Sequence, residues 1–134
     1  AKQQEMVSKI KSDKELLNSI LVKNHPNGGM KFIIVPADTD LAFIAKKCDI
    51  RESKLKKWNE LQNSSIKKND ILFLESKSSE GNVETYRAMA GESMHDIAQK
   101  FGIKLSKLYS RNRMSEGSQP AVNQLIYLQG KRPR

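Results

Sequence analysis

Aromatic residues are scarce in this chain. One Trp, three Tyr and four Phe make up 6% of its 134 residues, too few for a single large aromatic core. Cysteine is scarcer still. Cys48 stands alone, which excludes an internal disulfide and leaves stability to packed side chains. No apolar run approaches the roughly 20 residues that a membrane-crossing helix needs, so no membrane span is expected. The opening residues, Ala1-Lys2-Gln3-Gln4-Glu5, lack the apolar stretch of a signal peptide. Charge of one sign is not concentrated either. The net charge of +9 divides into +3 over residues 1–31, +2 over 32–79 and +4 over 80–134. The one basic run that stands out is the tail Lys131-Arg132-Pro133-Arg134. A nucleic-acid reader usually gathers its Lys and Arg on one helix or stripe. The spread seen here fits general attraction to polyanions, anionic cell envelopes included.

What the chain does have is an internal repeat. Displaced by 53 positions, Ile44-Ala45 falls on Ile97-Ala98, Ile50 on Ile103, Ser53-Lys54-Leu55 on Ser106-Lys107-Leu108, and Asn59 on Asn112. Nine of the 29 positions from 33 to 61 are identical. Most of them sit at helical core spacing, which argues for duplicated structure over chance. Near the end the displacement becomes 54, where Ile71-Leu72-Phe73-Leu74 matches Leu125-Ile126-Tyr127-Leu128. The second copy therefore carries one extra residue in its last loop, where insertions are cheap.

Each copy reads as strand, helix, helix, strand. Phe32-Ile33-Ile34-Val35 is a short β-branched run, with Tyr86-Arg87-Ala88 as its weaker counterpart. Asp40 and Ser93 suit helix N-caps. Leu41, Ile44 and Ala45 follow in the first copy, and Met94, Ile97, Ala98 and Phe101 in the second, at helical spacing. Gly102 ends the second of these helices as a residue tolerant of positive φ, and Asp49 takes that place in the first. A second short helix turns inward Ile50, Leu55 and Trp58 or Asn59 in one copy, and Ile103, Leu105, Leu108 and Asn112 in the other. Polar loops, Leu61 to Asp70 and Met114 to Gln124, lead to closing strands at Ile71–Glu75 and Leu125–Gln129. Asn69 and Asn123 hold matching turn positions that favour left-handed backbone. The expected fold is thus α+β, with two helices covering one face of a two-stranded antiparallel sheet in each copy.

The division is residues 1–29 as an N-terminal helical extension, 30–76 as repeat one, 77–82 as a flexible polar linker, 83–130 as repeat two and 131–134 as a basic tail. Met6, Ile10, Leu16, Leu17, Ile20 and Leu21 suggest a helical stripe in the extension, and Ser12 with Glu15 a capping box. It reads as one helix or two, ended by Asn24-His25-Pro26-Asn27-Gly28-Gly29. It is either a docked extension or the tail of an upstream domain.

This order and these residues resemble the LysM (lysin motif) family, whose pattern is a strand, then Gly-Asp-Thr-Leu, two residues, and Ile-Ala. Repeat two has Gly91-Glu92-Ser93-Met94-His95-Asp96-Ile97-Ala98. Repeat one has Asp38-Thr39-Asp40-Leu41-Ala42-Phe43-Ile44-Ala45, with Asp in place of the glycine. The family's Leu and Asn four residues apart match Leu55/Asn59 and Leu108/Asn112, and its glycine before the last strand is Asn in both repeats. The two copies cover about three-quarters of the chain. The pair is also similar to the tandem LysM tails of bacterial peptidoglycan hydrolases of the glucosaminidase type.

The resemblance implies non-catalytic binding of glycan containing N-acetylglucosamine, such as peptidoglycan or chitin-like oligomers. The binding groove would lie between the loop before the first helix and the loop after the second. Helix-start amides can donate to an acetamido carbonyl or a hydroxyl, and loop carbonyls can accept from the acetamido N–H. Site one would be Asp38, Thr39, Asp40, Leu41, Leu61, Gln62, Asn63 and Ile66. Site two would be Gly91, Glu92, Ser93, Met94, Met114, Ser115 and Pro120. Asp38 cannot bring backbone as close to a sugar as glycine could, so repeat two is the better candidate. Each site alone should be weak, and two on one linker gain by effective concentration on a polymer.

The remaining chemistry-bearing residues have bland readings. His25 and His95 have no ligand set that would make a metal or catalytic site. Cys48 aligns with Phe101 and reads as a small buried hydrophobe. Trp58 either packs at a rim or stacks on a sugar, packing being favoured. Glu92 and Asp96 lack the cleft a glycosidase pair requires. Lys54, Lys56 and Lys57 read as a solvated helix face. No catalytic constellation, metal or cofactor is expected. The leading reading is a cell-envelope module, periplasmic or extracellular, that anchors a cell-wall hydrolase or surface protein, with a catalytic domain upstream as a candidate partner. The alternative is a surface interaction or adhesion protein whose LysM folds no longer bind sugar. Nonspecific nucleic-acid binding, motivated by the net charge alone, ranks third.

Overall fold

The computed structural model describes Glu15, Leu17, Asn18 and residues 20–134. From Lys23 onward the order is β1 (Lys23–Asn24), β2 (Lys31–Ile34), β3 (Thr39–Asp40), α1 (Leu41–Cys48), α2 (Glu52–Trp58), β4 (Ser65–Ile66) and β5 (Ile71–Phe73) in repeat one. Repeat two follows with β6 (Thr85–Arg87), α3 (Met94–Phe101), α4 (Leu105–Arg111) and β7 (Leu125–Tyr127).

The first helix of each repeat starts and stops where its caps allow. The Asp40 carboxylate accepts from the Phe43 amide, and Asp49 ends α1 in the left-handed region at φ 55°. Ser93 and Asp96 form a reciprocal capping box on α3, and Gly102 ends it at φ 69°. The buried faces are Leu41, Ile44 and Ala45 on α1, and Met94, Ile97 and Ala98 on α3. Against them pack Leu55 and Leu108 from the second helices, together with Leu72 and Ile126 from the closing strands. Each repeat thus has its own apolar core, and that burial is what makes such short elements stable.

A buried asparagine ties the second helix to the closing strand in both repeats. Asn59 and Asn112 are fully buried. The Asn59 amide donates to Leu55 O and Phe73 O, and its Oδ1 accepts from the Phe73 amide. Asn112 repeats this with Leu108 O, Tyr127 O and the Tyr127 amide. A buried polar side chain is tolerated when every polar atom is satisfied, so the asparagine reads as a structural staple.

The sheets depart from expectation in repeat one. β2 pairs antiparallel with β5, as β6 does with β7. Repeat one gains a third strand, because β1 pairs with β2 through a turn containing Gly28 and Gly29, both at φ 75°. The expected breaker at 24–29 is therefore a hairpin turn with a strand running into it. The extension before it reaches repeat one: Leu17 is buried, Ile20 packs on the repeat-one core, and Asn18 accepts from the Lys47 ammonium. Leu21 is 69% exposed, so it does not share the expected inward stripe. Met6, Ile10, Ser12 and Leu16, and with Ser12 the capping box, lie outside the described residues.

The stretch 77–82, expected as a flexible linker, is packed. The Lys77 side chain has no exposed surface and its ammonium contacts Glu60 and Gln99. The Ser78 amide donates to Gly102 O, the Lys104 amide donates to Ser78 O, and the Gly81 amide donates to Leu128 O. A Cβ on Gly81 would lie 3.1 Å from both Ile103 and Leu128. Polar composition suggested solvation. What wins is that these polar groups find partners in the seam between the repeats.

That seam is continuous. The Gln99 amide donates to Asn59 Oδ1 and Ile71 O while its Oε1 accepts from Lys77. Glu60 accepts from the Leu105 amide as well as from Lys77. On the other side the β1–β2 turn caps the end of α3. His25 Nε2 meets Lys100 O at 2.9 Å, while its Nδ1 accepts from the Asn27 amide. The Asn27 side chain donates to Glu80 O and Phe101 O. Met30 comes so close to Gly102 that a Cβ there would sit 2.5 Å from its methyl. The two repeats are docked rather than tethered.

Candidate functional site

Both expected grooves begin at the start of an eight-residue helix, where backbone amides lack partners inside the helix. What the facing loop does with those amides differs between the repeats.

In repeat one the two loops are zipped together. β3 pairs antiparallel with β4, placing Thr39 opposite Ile66 and Asp40 opposite Ser65. The Leu41 amide donates to Ser64 O at 2.7 Å. Asp38 adds a staple, its carboxylate accepting from the Lys68 amide at 2.8 Å. Asn63 turns its own loop by accepting from the Ser65 amide. Leu41 and Ile66 are core side chains, whereas Gln62 and Asn63 are exposed and Leu61 is half-buried. The structure thus brings the two expected site-one loops together at Thr39–Leu41 and Ser64–Ile66, with backbone groups of each loop spent on the other.

Repeat two lacks that ladder among the described residues. Gly91 sits at φ 75° with nothing within 4 Å of where a Cβ would stand. Asp38, at the aligned position, is outside the left-handed region. The first loops therefore follow different paths, glycine adopting the left-handed conformation at the lower cost. The opposing loop, with its extra residue, turns at Gly117 (φ 86°). A one-residue change of register exchanges the pairing face of an extended segment. Here the contact is made by a side chain: the Met94 amide donates to Gln119 Oε1 at 2.8 Å. Gln119 is exposed, so the Met94 amide is covered by a surface side-chain amide rather than by backbone.

The other expected site-two residues shape the loop. Glu92 accepts from the Met89 amide and from the Tyr86 hydroxyl. Lys100 donates to that hydroxyl in turn, and the hydrogen bond holds the Lys100 ammonium above its ordinary pKa. Ser93 is committed to its capping box. Met94 is fully buried, so its side chain belongs to the core while its backbone amide is turned to Gln119. Ser115 and Gly91 are exposed, and Met114 and Pro120 are half-buried.

Three further residues are held by packing or hydrogen bonds. His95 Nε2 meets Asn59 O at 2.7 Å. Cys48 is half-buried and burial pushes its thiol up, with Lys47 opposing, so it is held protonated rather than as the nucleophilic thiolate. Trp58 packs on the repeat-one core.

Sequence reasoning missed Gln119, and with it the seam residues Glu60, Lys77, Gln99 and Tyr109. A signal was present in the repeat alignment. Tyr109 falls on Lys56, Gln99 on Lys46 and Glu60 on Arg113. Where duplicated helices differ in polarity at aligned positions, one copy faces something the other does not.

The LysM domain family model matches residues 33–74 and 86–128, together more than half of the chain. No curated protein matches. Among solved structures, the chain is similar to the spore cortex-lytic enzyme SleL of Bacillus cereus, at 21% identity over 78% of this chain and 24% of that one, with a TM-score of 0.33. It is similar to SleL of Bacillus megaterium QM B1551 at 20% identity, over 77% of this chain and 23% of that one, with a TM-score of 0.32. The chain thus spans about a quarter of the length of those structures. LysM domains are binding rather than catalytic modules, and they generally bind N-acetylglucosamine glycans such as peptidoglycan. With two matched copies whose caps, cores and buried asparagines recur at aligned positions, the chain belongs to the LysM domain family.

Proposed function

We propose that the chain holds a larger cell-wall protein on peptidoglycan-type glycan, and that repeat two does the binding. The observation that carries this reading is the single exchangeable contact over the α3 start, from the Met94 amide to Gln119 Oε1. An acetamido carbonyl is the same kind of acceptor as the glutamine carbonyl and can take its place. Gly91, Ser115 and Pro120 form the rim, and the half-buried Met114 offers an apolar contact for the acetyl methyl. In repeat one the equivalent amide is satisfied by backbone within a ladder, which a weak ligand cannot displace. Repeat one then acts as a structural partner, which is as far as the alternative of lost sugar binding extends here.

A cell-envelope setting and a catalytic domain elsewhere in the parent protein go with this reading. Among the described residues no helix is long and apolar enough to cross a membrane. Sedimentation with insoluble peptidoglycan provides the test. The chain should pellet with the polymer and be released by soluble N-acetylglucosamine oligomers. A chain that stays in the supernatant would sink the proposal.

A further inference from the structure

A cleft of about 540 Å³ opens between the repeats, beside the proposed groove and outside it. Repeat one contributes residues 60–62, and repeat two contributes His95, the first turns of α4 and the loop at 116–119. Its volume lies within the roughly 300–1,000 Å³ of ligand pockets. From this cleft we infer a second saccharide subsite, which takes the sugars of a chain that continue beyond the groove of repeat two.

Three observations carry this. The first is continuity. Gln119 lines the cleft and is also the residue over the Met94 amide, and His95 lines the cleft next to Met94 along the chain. A chain leaving the groove past Gln119 enters the cleft directly. The second is lining chemistry. Leu61, Leu105 and Tyr109 give an apolar surface, and Glu116 adds a carboxylate beside Glu60, whose oxygens are engaged by Lys77 and the Leu105 amide, with no Lys or Arg among the lining residues. In a chain of net charge +9, a cation-free lining disfavours a polyanion. It suits a neutral, hydroxyl-rich ligand, whose hydroxyls donate to Glu116 and whose C–H faces rest on apolar side chains.

The third is an uncommitted hydroxyl. Tyr109 is 6% exposed. Its hydroxyl makes no hydrogen bond among the described residues, and no buried side-chain nitrogen or oxygen there lacks a partner. The hydroxyl is therefore accessible, and the cleft is the cavity Tyr109 lines. The Glu60–Lys77–Gln99 contacts hold the two walls together, so the cleft is preformed and little ordering cost attaches to filling it.

This rests on the groove reading of repeat two, and the test separates the two. The full chain is titrated with N-acetylglucosamine oligomers from dimer to hexamer, by calorimetry and residue-resolved amide shifts. The dimer should move amides at 91–94 and 115–119. The pentamer and hexamer should also move Gln62, Ser106 and Tyr109, and bind about tenfold or more tighter than the trimer. Ser106→Trp, on an exposed position of α4, should fill the cleft and abolish that gain while leaving trimer affinity intact. Gln62→Trp should do the same from the opposite wall, and Tyr109→Phe should weaken only the long oligomers. Long oligomers that bind no tighter than the trimer, or a gain that survives both tryptophans, would overturn the subsite and leave the groove standing. No binding at any length would sink both, and shifts confined to the cleft would sink the groove and, with it, the subsite as that groove's continuation.

Discussion

The Met94 amide of repeat two and the Leu41 amide of repeat one stand at aligned positions, yet one donates to the Gln119 side chain and the other to the Ser64 backbone. Duplicated helices thus present the same donor, shielded to different degrees. Gln119→Ala should uncover the Met94 amide. A hydrogen bond of this kind contributes about 1 kcal/mol net, so oligomer affinity should rise about fivefold and stability should fall by a similar free energy. Calorimetric titration of the variant decides it: weaker binding would mean that Gln119 holds the ligand rather than standing in for it.

Repeat one should be silent in the same titration. Its helix start is closed by the Thr39–Ile66 and Asp40–Ser65 pairing as well as by Ser64 O. Asp38→Gly removes the acceptor of the Lys68 amide and should cost about 1 kcal/mol, but the ladder remains. Amides at 38–41 and 61–66 should therefore stay unmoved by sugar in both forms. Shifts there in the unmodified chain would place binding in repeat one.

Gly91 should matter for affinity more than its open surroundings suggest. No atom obstructs a Cβ, but φ is 75°. Gly91→Ala should cost about 1–2 kcal/mol in loop strain. The loop relieves that strain by leaving the left-handed region, as Asp38 does, and binding should fall several-fold. Unchanged affinity would show that the path of this loop is not used by the ligand.

The two asparagines offer a fold-level check. Asn112→Ala leaves Tyr127 N–H, Tyr127 O and Leu108 O without the side-chain partner they have. Leu108 O keeps the backbone amide of residue 112, so two groups are stranded, and at about 1–3 kcal/mol each a loss of at least about 2 kcal/mol is expected in denaturant unfolding. Asn59→Ala should cost more, since Gln99 of the other repeat also donates to it. Equal losses would argue that the seam does not couple the repeats.

What was legible in the sequence follows what each residue depends on. Caps at Asp40 and Ser93, stops at Asp49 and Gly102, and the turns at Asn69 and Asn123 are local, and they stand where the sequence puts them. The core faces were equally legible because helical spacing determines them. β1 was not, because Lys23-Asn24 is polar and becomes a strand only by pairing with β2. Lys77 was not, because its burial depends on Glu60 and Gln99, 17 and 22 residues away. For the candidate site, the loops could be read from the family pattern. Their closure could not, since it turns on pairing across the chain and on one extra residue whose effect is geometric.

The Lys77–Glu60 pair gives the pH prediction. Lys77 has no exposed side-chain surface and Glu60 has 26%, so removing the ammonium strands a largely buried carboxylate. Lys77→Met should cost about 3 kcal/mol, the lower end for a broken buried pair, and Lys77→Met with Glu60→Gln should recover much of it. Burial lowers the Lys77 pKa from 10.5, and the Glu60 charge and hydrogen bond only partly oppose this. Between the lowered value and 10.5 the unfolded chain binds more protons than the folded one, so the Lys77 contribution grows more favourable as pH rises. The stability gap between the unmodified chain and Lys77→Met should therefore widen from neutral pH towards 10.5 and level off above it. Urea unfolding of both forms across that range measures it. A gap that narrows with rising pH would mean that Glu60 stabilises the charged ammonium by more than burial penalises it.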